Sequence, residues 1–483
     1  MLQRSSLRAM FIRLRGLTAH YGWVFSLTIV LALVLDITGS LHVYSLDRLL
    51  GAPLILGTAA LLVVVAIGWL CSTPRLASMA MFSPQLVQRG VTALMLLAWL
   101  ATLRDFYIFI TPAMPLVHII GFSIGGLLLW FAIIRPPPLT WLIWLAVSLG
   151  SLVRVMSFSA IPIEPSRGDM LPLVQGALAN FLAGESPYTI YTMPWELPLT
   201  YLPITWLAYL PAYSLGVDMR VTSVLAELTI GATLSWIATS RGADAGMQTN
   251  QRCLIGTSVG LLVWAWVFLQ PSLQHWTQAT TAPIWWAVLA VTLALVICGH
   301  RWGAAVALGV CAATSPLIAV VAPFVGLYWL RTHGWRQTTA SVMLALLVAA
   351  AIILPFLLWS PQQFMLGAYR WFNDNSLFPQ LRWDMDNTWA RQVGFSSIFW
   401  RRDLEGMLKP IQMSLLLGLL AFYWWRRAPL ALLSSFITAA FLLFTVFNPV
   451  LWPYLYTPAL ITALMSLGLY ERLSNIERES VER

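Results

Sequence analysis

Long apolar runs broken by short arginine-bearing interruptions dominate this chain from end to end. A helix needs roughly 17–25 apolar residues to cross the hydrocarbon core of a membrane. Runs of that kind lie near 22–39, 52–70, 91–109, 112–134, 139–159, 221–239, 253–269, 283–298, 338–358, 410–425, 429–446 and 453–470. The run 303–330 is too long for one crossing and breaks at Thr314-Ser315-Pro316, which predicts two short helices joined on one side. The pattern predicts about 14 transmembrane helices.

One further run, 197–216, is apolar enough to cross but carries Pro198, Pro203 and Pro211 with Tyr201, Tyr209 and Tyr213. Helix-breaking residues with half-polar rings suit a segment lying in the membrane interface. Treating it as a crossing would also reverse the sidedness of every later loop. It is therefore expected to lie at the outer surface.

Composition sharpens the class. The 483 residues are 59% hydrophobic and 10% charged, with a mean hydropathy of +0.77, whereas a soluble domain carries about 25% charged residues. These values exclude a cytosolic enzyme, a nucleic-acid-binding domain and a secreted disulfide scaffold. The expected fold is an all-α polytopic membrane protein with two long outer loops containing short interfacial helices. The net charge of +9 is spread in ones and twos and forms no face that tracks phosphates. Cys71, Cys253, Cys298 and Cys311 lie in or beside apolar runs without metal-ligand spacing. The 25 Trp residues, many beside Arg or Pro, suit interfacial anchoring.

Positive charge fixes the expected orientation. With a cytoplasmic N-terminus, 17 of the 28 basic residues fall inside, among them Arg75, Arg89, Arg135, Arg301, Arg331, Arg336, Arg426 and Arg427. Most acids fall outside, including Asp169, Glu185, Glu196, Asp374, Asp384 and Asp386. Both termini are then cytoplasmic. The N-terminal run, without a small-residue cleavage site, is read as a retained anchor.

Two outer segments are long, 160–197 and 359–409, and both mix acids, arginines and aromatics. Loops of that length carry function or disorder, and the density of Trp and Tyr favours function. Asp169 follows Arg167-Gly168 and precedes an amphipathic helix expected over 170–183 and closed by Gly184. It is either the N-cap of that helix or a carboxylate held at the membrane surface as a base. Glu164, Glu185 and Glu196 read as solvated loop acids. Arg154, one turn from the end of its span, is either functional or snorkels to headgroups. Glu227 lies within a span and must be paired or protonated, with Arg220 reachable only along the helix. Gln270, Gln274, His275 and Gln278 gather hydrogen-bonding groups at a membrane mouth, as a sugar site needs and as a water-facing turn also would. Arg370, Arg382, Arg391, Arg401 and Arg402 suit phosphate contact, whether of substrate or of lipid headgroups. Asp384-x-Asp386 is a short match to a metal-binding pair. No P-loop, GxGxxG, HExxH or interpretable GxSxG occurs.

In order along 139–470 the chain carries Arg167-Gly168-Asp169, then LAGESPY (182–188), PLTYLP (198–203), LGVDMR (215–220), the Gln-rich mouth, the break at Ser315-Pro316 and NPVLWPY (448–454). This series resembles the GT-C superfamily of integral-membrane glycosyltransferases, most of all its bacterial mannosyltransferase-like and arabinofuranosyltransferase-like members. The resemblance implies a polyprenyl-phosphate sugar as donor and a glycan, glycolipid or protein as acceptor at the outer face of a bacterial inner membrane. It places Asp169 as general base. It draws substrate-binding candidates from Arg167, Tyr188, Tyr201, Gln274, His275, Gln278, Arg370, Arg382, Trp452 and Tyr454. No cofactor is required, although a divalent metal is compatible, and no nucleic acid is expected.

The chain departs from relatives in three respects, one being that the first loop lacks the acidic pair seen in some protein glycosyltransferases and Asp169 stands alone. Residues 1–135 form a four-helix extension ahead of a module over 136–483, and the broken hairpin carries Thr314-Ser315-Pro316 where a basic residue is common. Two other functions remain open: a flippase or transporter of lipid-linked saccharides using Arg154 and Glu227, and a glycan ligase. A transporter needs ionisable groups near the midplane on several helices. A transferase gathers them at one membrane face, as here.

Overall fold

Because most of the apolar runs are apolar on every face, they fold as helices that bury one side against each other and leave the other to lipid. The computed structural model describes residues 84–110, 116–160, 162–165, 168–193, 196–239, 259–269, 280–371, 395, 399, 402–427, 430–448 and 453–465. The expected spans 22–39 and 52–70, with Cys71 and Cys253, lie outside the described residues.

The long helices are α1 (Pro84–Ile110), α2 (Leu116–Ile134) and α3 (Leu139–Ala160). The connection after α3 holds α4 (Met170–Leu182), strands β1 (Ile190–Thr192) and β2 (Glu196–Pro198), and two five-residue helices, α5 (Pro203–Leu207) and α6 (Leu210–Ser214). Then come α7 (Arg220–Thr239), α8 (Val259–Leu269), α9 (Ala282–Ile297), α10 (Arg301–Ala312) and α11 (Ile318–Trp359). A short α12 (Pro361–Met365) runs into a π-helical turn, Leu366–Arg370. The chain closes with α13 (Leu408–Trp425), α14 (Leu430–Val446) and a helix over 457–465.

The segment 197–216 is no span: Pro203 is the first residue of one five-residue helix and Pro211 the second residue of another. The break at Thr314-Ser315-Pro316 is also present, between α10 and α11. Gly334 (φ 75°) divides α11 into two helices, a backbone conformation that costs glycine little. One correction applies to the all-α expectation. Residues 190–198 form a small antiparallel pair, Ile190 opposite Pro198 and Thr192 opposite Glu196. Its three-residue strands are too short to leave an alternating signature in the sequence.

A continuous core runs from Val91 and Trp99 on α1 through Leu142, Phe268, Trp286 and Phe436 to Met465. Gly309 lets α10 approach α11 so closely that a Cβ there would sit 2.4 Å from the Ala345 carbonyl oxygen. The outward faces stay apolar, with Leu127, Trp130 and Phe131 on α2 and Leu346, Leu347 and Leu358 on α11 exposed. Leu139–Phe158 and Ile318–Trp359 are long and apolar enough to cross a membrane, and only 39% and 22% of their most apolar windows are buried. A core helix of a soluble protein would bury most of that surface. These helices belong in a bilayer.

The bundle has two unlike ends. At one, Gln88 Nε2 donates to the Pro137 carbonyl at 2.7 Å, Trp236 stacks on His300, and Arg331 Nη2 donates to the Tyr423 carbonyl at 2.9 Å. This end holds Arg89, Arg135, Arg301, Arg331, Arg336, Arg426 and Arg427 and, among the described residues, no acid. The other end holds the connection 162–218, the start of the second long loop and most of the described acids.

Candidate functional site at the loop-rich end

The first long connection is built on α4, whose Leu171, Val174, Ala177 and Leu178 are buried at helical spacing. The helix ends where Gly184 (φ 78°) takes the left-handed conformation. Gly184 N–H then donates to the Phe181 carbonyl and Glu185 N–H to that of Asn180, the double bond of a Schellman ending. Asp169 occupies the cap position of α4 without a side-chain capping bond, and its carbonyl accepts the Leu173 N–H at 3.0 Å. The capping role weighed from sequence is therefore not performed by this side chain. Asp169 is partly exposed, at the helix end where unpaired N–H groups favour negative charge.

Tyr188 of LAGESPY ties the module together. Its ring is 1% exposed and 4.6 Å from that of Phe364 on α12. The hydroxyl donates to the Tyr201 carbonyl at 2.8 Å and accepts from Trp206 Nε1 at 3.4 Å. Burial pushes this phenol well above the ordinary tyrosine range. Tyr191 is raised for the same reason; its hydroxyl donates to the Pro187 carbonyl at 2.6 Å. Trp206, Phe181 and Phe356 complete the aromatic plate, with ring centroids 5.3–6.2 Å apart.

Two backbone meetings bring distant motifs onto this plate. Ile204 N–H donates to the Ala313 carbonyl at 3.1 Å, and Thr205 Oγ1 donates to the Thr314 carbonyl at 2.7 Å. The proline-aromatic segment therefore rests on the tip of the broken hairpin. The second long loop enters at Gly367, where a Cβ would lie 2.1 Å from the Leu199 carbonyl oxygen. Only glycine fits that approach, and it brings the two long loops into contact. Arg370, three residues on, is exposed beside them.

Beneath the loops lie two buried arginines. Arg154 on α3 is fully buried. Its Nε and Nη2 stand 3.0 Å and 2.8 Å from Oε2 of Glu227 on α7, and its Nη1 donates to the Phe268 and Gly150 carbonyls at 2.6 Å and 3.1 Å. The guanidinium carbon sits 3.8 Å above the Phe268 ring. Snorkelling is thereby corrected: the side chain has so many partners within the bundle that it has no reason to reach the headgroups. The partner left unidentified for Glu227 is Arg154. Arg220 instead binds Asp218 through Nε and Nη2 at 2.9 Å and 2.6 Å and donates to the Phe158 carbonyl at 2.7 Å. A usable signal existed. Arg154 lies six residues from the end of α3 and Glu227 seven from the start of α7, so both sit about 10 Å below the same end. A cavity of about 20 Å³, room for one water, lies beside Glu227, Phe268 and Thr457.

Of the other expected site residues, Tyr201 is half-buried on the plate, while Arg167, Gln274, His275, Gln278, Arg382 and Trp452 lie outside the described residues. So do Asp384 and Asp386. Tyr454 belongs to the 3₁₀ turn Pro453–Tyr456, its backbone alone being described. The arrangement offers a carboxylate at a helix start, an exposed arginine on the adjoining loop and an aromatic support at the loop-rich end of the bundle.

No protein-family model matches this chain. No curated protein sequence matches it either. Among solved structures, a likeness is found to the crystal structure of ArnT from Cupriavidus metallidurans bound to undecaprenyl phosphate, at 14% identity and a TM-score of 0.34. It covers 62% of this chain and 54% of that one, so the match spans about half the length of ArnT.

Proposed function

We propose that this chain is a membrane-embedded glycosyltransferase that moves a sugar from a polyprenyl-phosphate donor to an acceptor hydroxyl at the outer face of the membrane. The observation that carries this reading is the convergence of three separated motifs. LAGESPY, PLTYLP and the broken hairpin meet through the Tyr188–Tyr201 and Thr205–Thr314 hydrogen bonds, around the helix that Asp169 opens. Their order in the chain carries the GT-C resemblance, and their meeting in space is what a single catalytic module requires.

In this reading the Asp169 carboxylate takes the proton of the acceptor hydroxyl. The freed oxygen forms a bond to the anomeric carbon from the face opposite the phosphate. The anomeric carbon–oxygen bond breaks, and its electron pair leaves with the polyprenyl phosphate. The configuration inverts. Charge growing on the phosphate calls for a cation, and the candidates are Arg370, three residues after Gly367, and Arg167, two residues before Asp169. Because the phosphate already activates the sugar, no nucleotide fold is needed. A transporter would use Arg154 and Glu227, which are paired with each other between α3 and α7.

The test is transfer from polyprenyl-phosphate monosaccharides to membrane acceptors by purified protein, with Asp169→Asn alongside. Loss of transfer with donor binding retained supports the assignment. Full activity in the variant ends the general-base role, and no transfer from any donor by folded wild type ends the transferase reading.

A further inference from the structure

Three chain turns meet at the arginine-rich end, and each sets an exposed tryptophan beside an arginine. They are Arg301-Trp302 at the start of α10, Trp335-Arg336 after the Gly334 break, and Trp425-Arg426 at the end of α13. Trp302, Trp335 and Trp425 are 52%, 66% and 73% exposed. The turns are joined to one another. Arg301 donates to Gln337, and Arg331 Nη2 donates to the carbonyls of Tyr423 and Trp424. The result is one continuous surface contributed by three hairpins.

Among the described residues its charge is unbalanced, with no acid at this end. The guanidinium groups are pre-set on rings, with Arg301 4.3 Å over Trp302, Arg331 4.8 Å over Trp424 and Arg426 5.8 Å over Trp425. Guanidinium recognises phosphate in a planar, two-pronged way, and tryptophan settles at the depth of glycerol and ester groups. The two chemistries occur together in an anionic phospholipid.

We propose that the three Trp–Arg turns form a docking surface for an anionic phospholipid of the adjoining leaflet, with Arg301, Arg336 and Arg426 holding its phosphodiester and Trp302, Trp335 and Trp425 its glycerol region. The site does not depend on the glycosyltransferase reading. Each basic residue near a membrane surface strengthens anionic-lipid binding by about fivefold, so three give on the order of 100-fold.

The test uses purified full-length protein in neutral detergent, with phosphatidylglycerol or phosphatidylcholine added and lipid adducts read by native mass spectrometry. Phosphatidylglycerol is expected to stay bound and to raise the Tm of wild type, and phosphatidylcholine to do neither. R301Q/R336Q/R426Q loses affinity on the order of 100-fold, and R301K/R336K/R426K keeps most of it. R89Q/R135Q removes charge at the same end but outside the three turns, where Gln88 meets Pro137, and lowers affinity by much less than the roughly fivefold per residue expected of the docking arginines. The proposal is overturned by equal binding of the two lipids, or by a wild-type Tm that phosphatidylglycerol does not move. It is also overturned if R89Q/R135Q loses affinity in proportion to the charge removed, or if inorganic phosphate raises Tm as far as the lipid does.

Discussion

Arg154 and Glu227, 73 residues apart in the chain, share a single carboxylate oxygen, with both Nε and Nη2 of the arginine within 3.0 Å of Oε2. The other oxygen, Oε1, is buried without a hydrogen-bond partner, and Glu227 lines the cavity that also touches Trp264 on α8, Trp286 on α9 and Thr457. The same guanidinium holds the end of α8 through the Phe268 carbonyl, so one side chain pins three helices.

Removing one partner leaves the other charge buried and alone. Glu227→Leu and Arg154→Met are each expected to destabilise the protein by about 3–5 kcal/mol. The double variant should recover a large part of that loss, because an apolar pair of similar volume needs no compensation. Thermal melts of the four proteins in one detergent give the cycle, and additive losses would show that the two charges do not stabilise each other.

Asp169→Asn separates chemistry from capping. With no side-chain capping bond to lose, stability should change by less than about 1 kcal/mol, the scale of a charge at a helix start. Transfer activity should fall by about 10²- to 10⁴-fold, the usual contribution of a general base. A large Tm loss with activity per folded molecule intact would make the residue structural.

Gly367→Val places side-chain atoms where the Leu199 carbonyl already stands. The two loops must part, at a cost of about 1–3 kcal/mol or more. Limited proteolysis should then cut near 193–202 and 360–371 faster than in wild type. Unchanged cleavage would mean that the loops are held together by other contacts.

Tyr188→Phe leaves the Tyr201 carbonyl and Trp206 Nε1 without their partner, at about 1–3 kcal/mol. The phenol also predicts alkaline behaviour. Its folded pKa is raised by burial, so the unfolded chain releases this proton first. Stability is full below the ordinary tyrosine value of about 10 and falls as pH rises beyond it. Tm measured from pH 8 to 11 should drop less steeply in Tyr188→Phe than in wild type; equal slopes would place the alkaline loss in other tyrosines.

The sequence made the long helices legible because span length and apolarity are local properties: 283–298 was expected and α9 is Ala282–Ile297. Prolines at 203 and 211 were enough to deny a crossing to 197–216. Partner choice was less legible, since it depends on how each helix is turned about its axis. Nothing along α3 or α7 says that Arg154 faces Glu227, although their matched depth allows it. The meeting of Gly367 with Leu199 was hidden for another reason. One glycine among 30 carries no mark of the backbone that approaches it.

Among the described residues, positive charge gathers at one end of the bundle, and charge separated in this way responds to an electrical potential across a bilayer. Electrical potential across a bilayer is worth about 2.3 kcal/mol per elementary charge per 100 mV. The end holding Arg89, Arg135, Arg301, Arg331, Arg336, Arg426 and Arg427 therefore favours the negative side of such a membrane. Insertion with that end leading the wrong way would be resisted by voltage as well as by sequence, and a cell that lost its potential during synthesis would lose part of the force that orients this chain.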